Sequence, residues 1–305
     1  MLMKNIETGG RFLIQKYLKW MFVISLSLFL LLPFNLRARS ASSPELFNLP
    51  VVLKINRYYV LYTYPKPPYV DAQNRLIVPL GSVCRDLIGA KVNYDHKTKT
   101  TLINCFGHKV KLTVGSKTAF VDEKQVEMDT VPVLYKNTML VPMRILTEGL
   151  EIKVKWDQKY HFTSLEDERL MKTEKIKFGP EDSPALRASA VEENAFFPLS
   201  CRIKISYPTN SSTPTKTKLE IAAQNITGKD IPEGKADVRP HLMFNGGYTT
   251  LAFYGSEGEL APIRPPVKAE EIIKISKEFS SGIPSDFPKG IEKLSLVLLT
   301  CRVLA

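Results

Sequence analysis

The stretch Leu76-Ile77-Val78-Pro79-Leu80 returns later in the chain as Met139-Leu140-Val141-Pro142-Met143, and this repeat decides the predicted fold. Each copy follows a polar turn. A second pattern recurs downstream of each copy, where Lys91-Val92-Asn93-Tyr94-Asp95 returns as Lys153-Val154-Lys155-Trp156-Asp157. An internal repeat indicates that one structural unit occurs twice, so the two copies are interpreted together.

Each unit contains a predicted helix. Pro79 and Pro142 suit the first helical turn, where the missing N–H of proline costs no hydrogen bond. The residues after Pro79 form one apolar stripe with helical spacing, namely Leu80, Val83, Cys84, Leu87 and Ile88. Gly89 then suits a left-handed C-terminal cap. The second unit has a thinner stripe of Met143, Leu146 and Leu150.

Short strands surround these helices. Residues 109–114 and 151–156 alternate polar and apolar side chains, which is typical of half-buried strands. Each unit is therefore predicted to run strand, helix, strand, strand, and the two copies can cover one another's apolar faces. The expected fold class is α+β, with this repeated domain at residues 44–168.

Three runs resemble the copper amine oxidase N-terminal-like domain, over about residues 50–165. They are residues 110–119, Leu140-Val141-Pro142-Met143-Arg144 and Val154-Lys155-Trp156-Asp157. One departure from the family pattern, an extra residue between Pro79 and Asp95, concerns the local geometry of the first helix.

The resemblance implies an exported protein of a Gram-positive bacterium, because this domain recurs on such proteins beside other extracellular modules. In the oxidases the domain is a peripheral stalk, remote from the copper and from the quinone cofactor. The resemblance therefore implies a structural or binding module, and it carries over no catalytic residue, copper ligand or cofactor.

The N-terminus, residues 1–42, is predicted to be an export segment. A basic lead precedes an uncharged apolar run from Trp20 to Leu36, which is the order found in signal peptides. Small residues around Ser40 suit cleavage. An uncleaved membrane anchor is the alternative, because the run approaches the roughly 17-residue minimum for a bilayer span and Arg37 and Arg39 follow it. Both alternatives place the rest of the chain outside the cytoplasmic membrane.

The character of the sequence changes after the repeat. Residues 169–195 are charged and are interrupted by Gly179-Pro180 and Ser183-Pro184, so they are predicted to form a linker. Residues 196–305 contain short alternating runs, such as Cys201-Arg202-Ile203-Lys204-Ile205-Ser206-Tyr207, separated by Gly, Pro and Asn turns. This pattern predicts an immunoglobulin-like β-sandwich domain.

The four cysteines, Cys84, Cys105, Cys201 and Cys301, lack metal-ligand spacing. In an oxidising compartment they are candidates for one disulfide in each domain, Cys84–Cys105 and Cys201–Cys301. A buried free thiol is the alternative for Cys84, because it lies on the apolar face of the first predicted helix.

A cluster of tyrosines provides the candidate ligand contacts, namely Tyr58, Tyr59, Tyr62, Tyr64 and Tyr69. Tyrosines stack on sugars or anchor a protein partner, and core packing is the alternative. None of the four histidines, His96, His108, His161 and His241, pairs with another histidine, a cysteine or a carboxylate at a ligand spacing in a way that builds a metal site. The sequence also has no nucleophile-elbow, HExxH or phosphate-loop motif. We therefore predict no catalytic residue, no metal and no cofactor.

The charge balance argues against a nucleic-acid partner. Six basic residues and one acidic residue among the first 40 account for +5 of the formal charge of +11, and no concentrated basic stripe with aromatics follows.

We predict a non-enzymatic binding or structural module of the bacterial cell envelope, secreted or membrane-tethered and associated with the cell wall. Its expected partner is a wall polymer or an extracellular protein, with membrane contact only through the N-terminal segment. The alternative is a secreted inhibitor or regulator that blocks an extracellular enzyme with the β-sandwich loops.

Overall fold

The computed structural model describes residues 45–171, 189–207, 215–244, 249–250, 264–280 and 293–305, which form four sheets and two short helices. The predicted export segment and most of the predicted linker lie outside the described residues. Residues Ser42–Ala305 form one compact unit. Within the described part of the chain, neither helix has the length and apolar character needed to span a bilayer.

The strands and helices have the following bounds. The repeat region contains β1 (Glu45–Leu49), β2 (Leu53–Ile55), β3 (Tyr58–Thr63), β4 (Tyr69–Val70), β5 (Leu76–Pro79), α1 (Gly81–Ile88), β6 (Lys91–Asp95), β7 (Thr100–Cys105), β8 (His108–Thr113), β9 (Thr118–Val121), β10 (Lys124–Glu127), β11 (Val133–Tyr135), β12 (Thr138–Pro142), α2 (Met143–Gly149), β13 (Val154–Asp157) and β14 (Phe162–Leu165). The later residues contain β15 (Ala190–Glu193), β16 (Phe196–Ser206), β17 (Lys216–Asn225), β18 (Ala236–Phe244), β19 (Thr249–Thr250), β20 (Ile272–Ser280) and β21 (Leu294–Leu304).

The two copies of the repeat pair directly with each other. β5 and β12 are antiparallel neighbours, and Val78 lies opposite Val141. They form the centre of a four-stranded sheet in the order β11-β12-β5-β4. The equivalent segments of the repeat are therefore neighbours in space.

The helices of the two copies differ in their winding. α1 is a wide π-type helix, in which the N–H of Gly89 points back to the carbonyl oxygen of Cys84, five residues earlier. α2 has ordinary winding at its end, where the N–H of Leu150 donates to the carbonyl oxygen of Leu146 at 3.0 Å. A π-type turn accommodates one extra residue inside a helix, and the first copy is one residue longer in this segment. The insertion therefore widens α1.

The expected α+β class with repeated strand-helix-strand-strand units is not clearly present, because the protein is mostly β-strand. The helices contain only eight and seven residues, about two turns each. Between the two copies the chain turns back repeatedly and forms an antiparallel sheet in the order β10-β9-β8-β7-β6. The apolar stripes after the two prolines are therefore too short to make helices a main layer of the fold.

An eight-stranded sheet joins the repeat to the C-terminal part of the chain. It contains β13-β14-β2-β3-β21-β18-β19, with β15 paired to β21 beside this path. β3 is buried on both faces. Tyr58 and Val60 pack into a first core formed with the repeat, while Tyr59 and Leu61 pack into a second core formed with the later strands.

The last strand, β21, divides its side chains in the same way. Leu296 and Leu298 belong to the first core, whereas Val297 and Leu299 belong to the second. Successive side chains of a strand point to opposite faces of a sheet. β3 and β21 therefore form a shared partition between two cores, and the sheet crosses the predicted boundary between residues 44–168 and 196–305. The domain bounds themselves stay predictions.

The second core lies between this partition and a four-stranded antiparallel sheet in the order β1-β16-β17-β20. β1 precedes the repeat in sequence but pairs with β16, so that Glu45 lies opposite Ile205. Part of the predicted linker is also ordered, because β15 pairs with β21. A strand that precedes the repeat thus extends the sheet that covers the second core.

All four cysteines are unbridged thiols in the structure. Cys84 lies in the first core, and Cys105 packs against that core from its edge. Cys201 and Cys301 lie in the second core. Burial raises the pKa of the Cys84 thiol, and it raises the pKa of Cys201 to about 12. Buried thiols of this kind are poor nucleophiles, because the thiolate is the reactive form.

Candidate ligand-binding groove

The predicted tyrosine cluster divides between the cores and the surface. A ligand contact of Tyr58, Tyr59 and Tyr62 stays a prediction, although their side chains are buried, as the core-packing alternative expects. They are buried because β3 is enclosed on both faces by the two cores. Tyr64 and Tyr69 are half-buried, and only Tyr69 lines the large groove described below. Their ligand contacts stay a prediction.

The histidines lie in separate environments. His108 Nδ1 is 2.8 Å from Asp122 Oδ2, and His241 is buried with its Nε2 3.0 Å from the hydroxyl of Thr300. Among the described residues, no group of three or more His, Cys, Asp or Glu side chains is arranged to hold a metal ion. His161 is the histidine that reaches the large groove.

A surface groove of about 1290 Å³ follows the second copy of the repeat, and we call it the Trp156 groove. Its residues come from the β4–β5 hairpin, α2, β13 and the turn after β13. They include Tyr69, Val70, Asn74, Arg75, Leu76, Asp129, Met143, Arg144, Thr147, Glu148, Glu151, Ile152, Val154, Trp156, Gln158 and His161. Its volume exceeds the roughly 300–1,000 Å³ of common small-ligand pockets, so it suits an extended ligand.

Trp156 supplies the largest exposed apolar surface in the groove. It lies on the edge strand β13, and 54% of it is accessible to solvent, as is 48% of Val154. The indole Nε1 donates a hydrogen bond to Gln158 Oε1 at 3.0 Å, and the ring centroid lies 6.2 Å from that of His161. The indole is therefore held from one edge while its face stays available.

The equivalent residues in the first copy of the repeat are less exposed to solvent. Val92 and Tyr94, which correspond to Val154 and Trp156, are half-buried and pack against the first core. A strand with alternating side chains normally turns its apolar residues toward a core. β13 instead leaves its apolar face in solvent beside the groove. Such an uncovered apolar face on a concave surface is typical of a binding site.

Charged residues of both signs line the groove. The guanidinium of Arg75 binds Asp71 at 2.7 Å and donates to the backbone oxygen of Asp129 at 3.0 Å. Partial desolvation raises the pKa of Asp71, but hydrogen bonds from the backbone N–H and the guanidinium of Arg75 outweigh it and lower that pKa. Arg75 is thus held in place before any ligand arrives.

A second arginine marks the α2 side of the groove. Arg144 lies 3.7 Å from Glu148 and 3.9 Å from Asp129, and its side chain is well exposed. The groove lining thus contains two arginines, Arg75 and Arg144, and three carboxylates. These are Asp129, Glu148 and Glu151, so the net charge of the lining is close to zero. This composition offers hydrogen bonds in both directions and one aromatic face, which suits an uncharged polyhydroxyl ligand better than a polyanion.

Apart from Tyr69, sequence reasoning did not select these groove residues. The alternation in residues 151–156 predicted a half-buried strand, and the structure exposes Val154 and Trp156. The available signal was Trp156 itself, one of two tryptophans in the chain, at a repeat position occupied by Tyr94 in the other copy. Residues that break the local pattern tend to mark functional sites.

Comparison with known proteins assigns part of the chain. Residues 54–165 match the model of the copper amine oxidase N-terminal domain, which confirms the resemblance seen in the sequence. No curated protein and no solved structure matches the chain. The matched domain is a non-catalytic accessory domain, and it contains β13, α2 and most of the groove. Residues 54–165, a little over a third of the chain, therefore match a copper amine oxidase N-terminal domain.

Proposed function

We propose that the protein is a non-enzymatic binding module of the bacterial cell envelope, secreted or membrane-tethered, and that the Trp156 groove holds a carbohydrate chain of the cell wall. The observation that carries the proposal is the exposed face of Trp156 in a long groove of mixed charge. The apolar residues before Arg37 support the compartment.

The chemistry of the groove supports a sugar ligand. The apolar face of a sugar ring packs on an exposed aromatic face, while its hydroxyl groups donate and accept hydrogen bonds. The fixed guanidinium of Arg75 and the amide of Gln158 lie along the same groove as the indole. An accessory role for the matched domain supports the absence of catalysis that we propose for the whole chain.

We assign the strands around the second core to an immunoglobulin-like sandwich. This proposal is supported by two sheets that face one another across one apolar core, with antiparallel pairing of β16, β17 and β20 on one side and of β18 and β21 on the other.

The proposal is tested by co-sedimentation of the purified protein with isolated cell walls. Trp156→Ala should weaken binding about tenfold or more, since a central aromatic anchor commonly contributes that much. Phe120→Ala is the matched control, because Phe120 is an exposed aromatic on β9 outside the groove. Soluble wall glycan fragments should compete with the insoluble wall. Equal retention of the two variants would refute the groove as the binding site.

The inhibitor hypothesis concerns the loops of residues 196–305, of which 208–214, 245–248, 251–263 and 281–292 lie outside the described residues. A panel of extracellular proteases, assayed with and without the protein, separates it from wall binding. Inhibition that persists in Trp156→Ala would favour the inhibitor.

A further inference from the structure

A side cavity of about 190 Å³ adjoins the Trp156 groove where α2 begins, and we call it the Arg144 cavity. Four residues line both the cavity and the groove, namely Asp129, Pro142, Arg144 and Glu148. The remaining lining residues come from β10, from the residue after it and from α2, namely Val126, Glu127, Met128 and Ile145. A chain that lies in the groove can therefore place a substituent in this cavity.

The two arginines of the groove differ in how many of their donors are in use. Every nitrogen of the Arg75 guanidinium donates a hydrogen bond, at distances of 2.7, 3.0 and 2.9 Å. The side chain of Arg144 donates none within the described residues. The carboxylates of Glu148 and Asp129 lie 3.7 Å and 3.9 Å from it, which exceeds the usual hydrogen-bond distance. Arg144 is therefore the arginine of the groove whose donors are available to a ligand.

Arg144 and its two neighbouring carboxylates place donors beside acceptors. A guanidinium has only donors, and an ionised carboxylate has only acceptors. A ligand group that both accepts and donates hydrogen bonds can bind Arg144 with one atom, and Glu148 or Asp129 with another. A carboxylate substituent would be repelled by Glu148 and Asp129. An ammonium substituent would offer no acceptor to Arg144.

The rest of the cavity lining is mainly apolar. Met128 and Ile145 are buried, and Val126 is half-buried and packs against the first core. These side chains present methyl and methylene groups to an apolar atom of a ligand. A hydroxyl group would leave this apolar surface without a contact. The cavity therefore favours a small substituent that has a polar amide-like end and an apolar end.

We infer that the Arg144 cavity receives the acetamido group of an N-acetylated amino sugar. The inference rests on the proposed carbohydrate function of the groove and narrows it to one class of sugar chain. The acetamido carbonyl oxygen accepts a hydrogen bond from Arg144, and its N–H donates one to Glu148 or Asp129. Its methyl group packs on the apolar lining, while another ring of the same chain packs on the indole of Trp156.

Calorimetric titration of the full protein with three β-1,4-linked tetrasaccharides tests the inference. The tetramers consist of N-acetylglucosamine, glucose or glucosamine, so they share one backbone and differ in an acetamido, hydroxyl or ammonium group. The N-acetylglucosamine tetramer should bind about tenfold more tightly than the glucose tetramer, because it gains hydrogen bonds to charged groups. It should also bind more tightly than the glucosamine tetramer, because ammonium offers Arg144 no acceptor.

Arg144→Met should abolish the preference for the acetamido group. The change removes the guanidinium and keeps an unbranched side chain, so the N-acetylglucosamine tetramer should bind about tenfold more weakly. The affinity for the glucose tetramer should stay the same. Arg85→Met is the matched control, because Arg85 is an exposed arginine of α1 outside both cavities. Val126→Thr replaces a methyl group of the lining with a hydroxyl and should reduce the preference about fourfold.

The outcomes separate this inference from the proposed function. A preference for the acetamido group that Arg144→Met abolishes and Arg85→Met preserves supports the inference. Equal affinity for the N-acetylglucosamine and glucose tetramers overturns it, and the carbohydrate function survives if Trp156→Ala weakens both. Tighter binding of the glucosamine tetramer overturns it too, since the carboxylates then select a cation.

Failure of all three tetramers to bind also overturns the inference, and co-sedimentation with cell walls then decides the proposed function by itself. A loss of affinity for the glucose tetramer in Arg144→Met, equal to the loss for the N-acetylated one, likewise contradicts the assigned contact. Circular dichroism of each variant identifies a folding defect, in which case Val126→Thr decides.

Discussion

Tyr59 lies directly opposite Leu299 in neighbouring antiparallel strands, although one residue belongs to the matched N-terminal domain and the other to the last strand of the chain. Both side chains are buried in the second core. On the other face of the same two strands, Val60 and Leu298 are buried in the first core. One pair of strands thus supports both cores, and this relationship implies that they unfold together.

Leu298→Ala and Leu299→Ala should each lower the stability of the whole unit. Each removes a fully buried leucine side chain, which costs about 2–5 kcal/mol. Because the strand is shared, we expect both variants to shift one cooperative urea transition, followed by circular dichroism and by tryptophan fluorescence. Val191→Ala, at an exposed position on β15, should change stability by less than about 0.5 kcal/mol. Two separate transitions, each sensitive to only one leucine variant, would show that the cores are independent.

Gly149→Ala should destabilise the contact between α2 and the five-stranded sheet. A Cβ at this position would lie 2.8 Å from Val110 Cγ2 and 3.2 Å from Val121 Cγ2, so the helix or the sheet must move. Such overpacking costs about 1–3 kcal/mol. Gly81→Ala is the control, because its nearest neighbours are the flexible end of Arg85 at 3.8 Å and beyond. Denaturant unfolding should show a loss only for Gly149→Ala, and equal midpoints would contradict the close approach.

Asp237 should make the protein sensitive to acid. Burial raises the pKa of Asp237, but the charge of Arg239 and hydrogen bonds from Arg302 and Arg239 outweigh burial and hold that pKa below its ordinary value. A lowered pKa in the folded state means that the stabilisation is present above the unfolded pKa of about 3.9. It is lost as the pH falls through the folded value.

Asp237→Asn should therefore reduce the free energy of unfolding by about 3–5 kcal/mol at pH 7, because the arginines lose their buried counter-charge. The difference from the wild type should shrink toward acid pH, as measured by urea unfolding between pH 7 and pH 3. Glu233→Gln, at an exposed position, serves as the control. A constant difference across this range would contradict the assigned role of the carboxylate.

Thiol labelling should distinguish the four cysteines. Cys105 is half-buried, whereas Cys84, Cys201 and Cys301 are buried, so a thiol-specific reagent should label Cys105 first in the native protein. After unfolding without reductant, all four should react. Labelling of only two cysteines in the unfolded, unreduced protein would reveal a disulfide, and peptide mapping would show whether it joins Cys84 to Cys105 or Cys201 to Cys301.

The sequence by itself determined features that depend on neighbouring residues along the chain. The repeat identified the segments around Val78 and Val141 as equivalent, and the runs around Leu140 and Trp156 indicated the domain over about residues 50–165, which the match at residues 54–165 confirms. The extra residue in the first copy coincides with the π-type winding of α1. Each of these features follows from local spacing, because periodicity and turn residues act over a few residues.

Only the tertiary structure decided which faces are covered. The same alternating pattern left Tyr94 half-buried against the first core and Trp156 exposed, and the tyrosines of β3 became part of the two cores instead of a surface. The charge convergence on Asp237 also joins residues far apart in the chain. These outcomes depend on long-range pairing of β3 with β21, and a pattern with a period of two residues defines two faces of a strand without specifying what will cover either one.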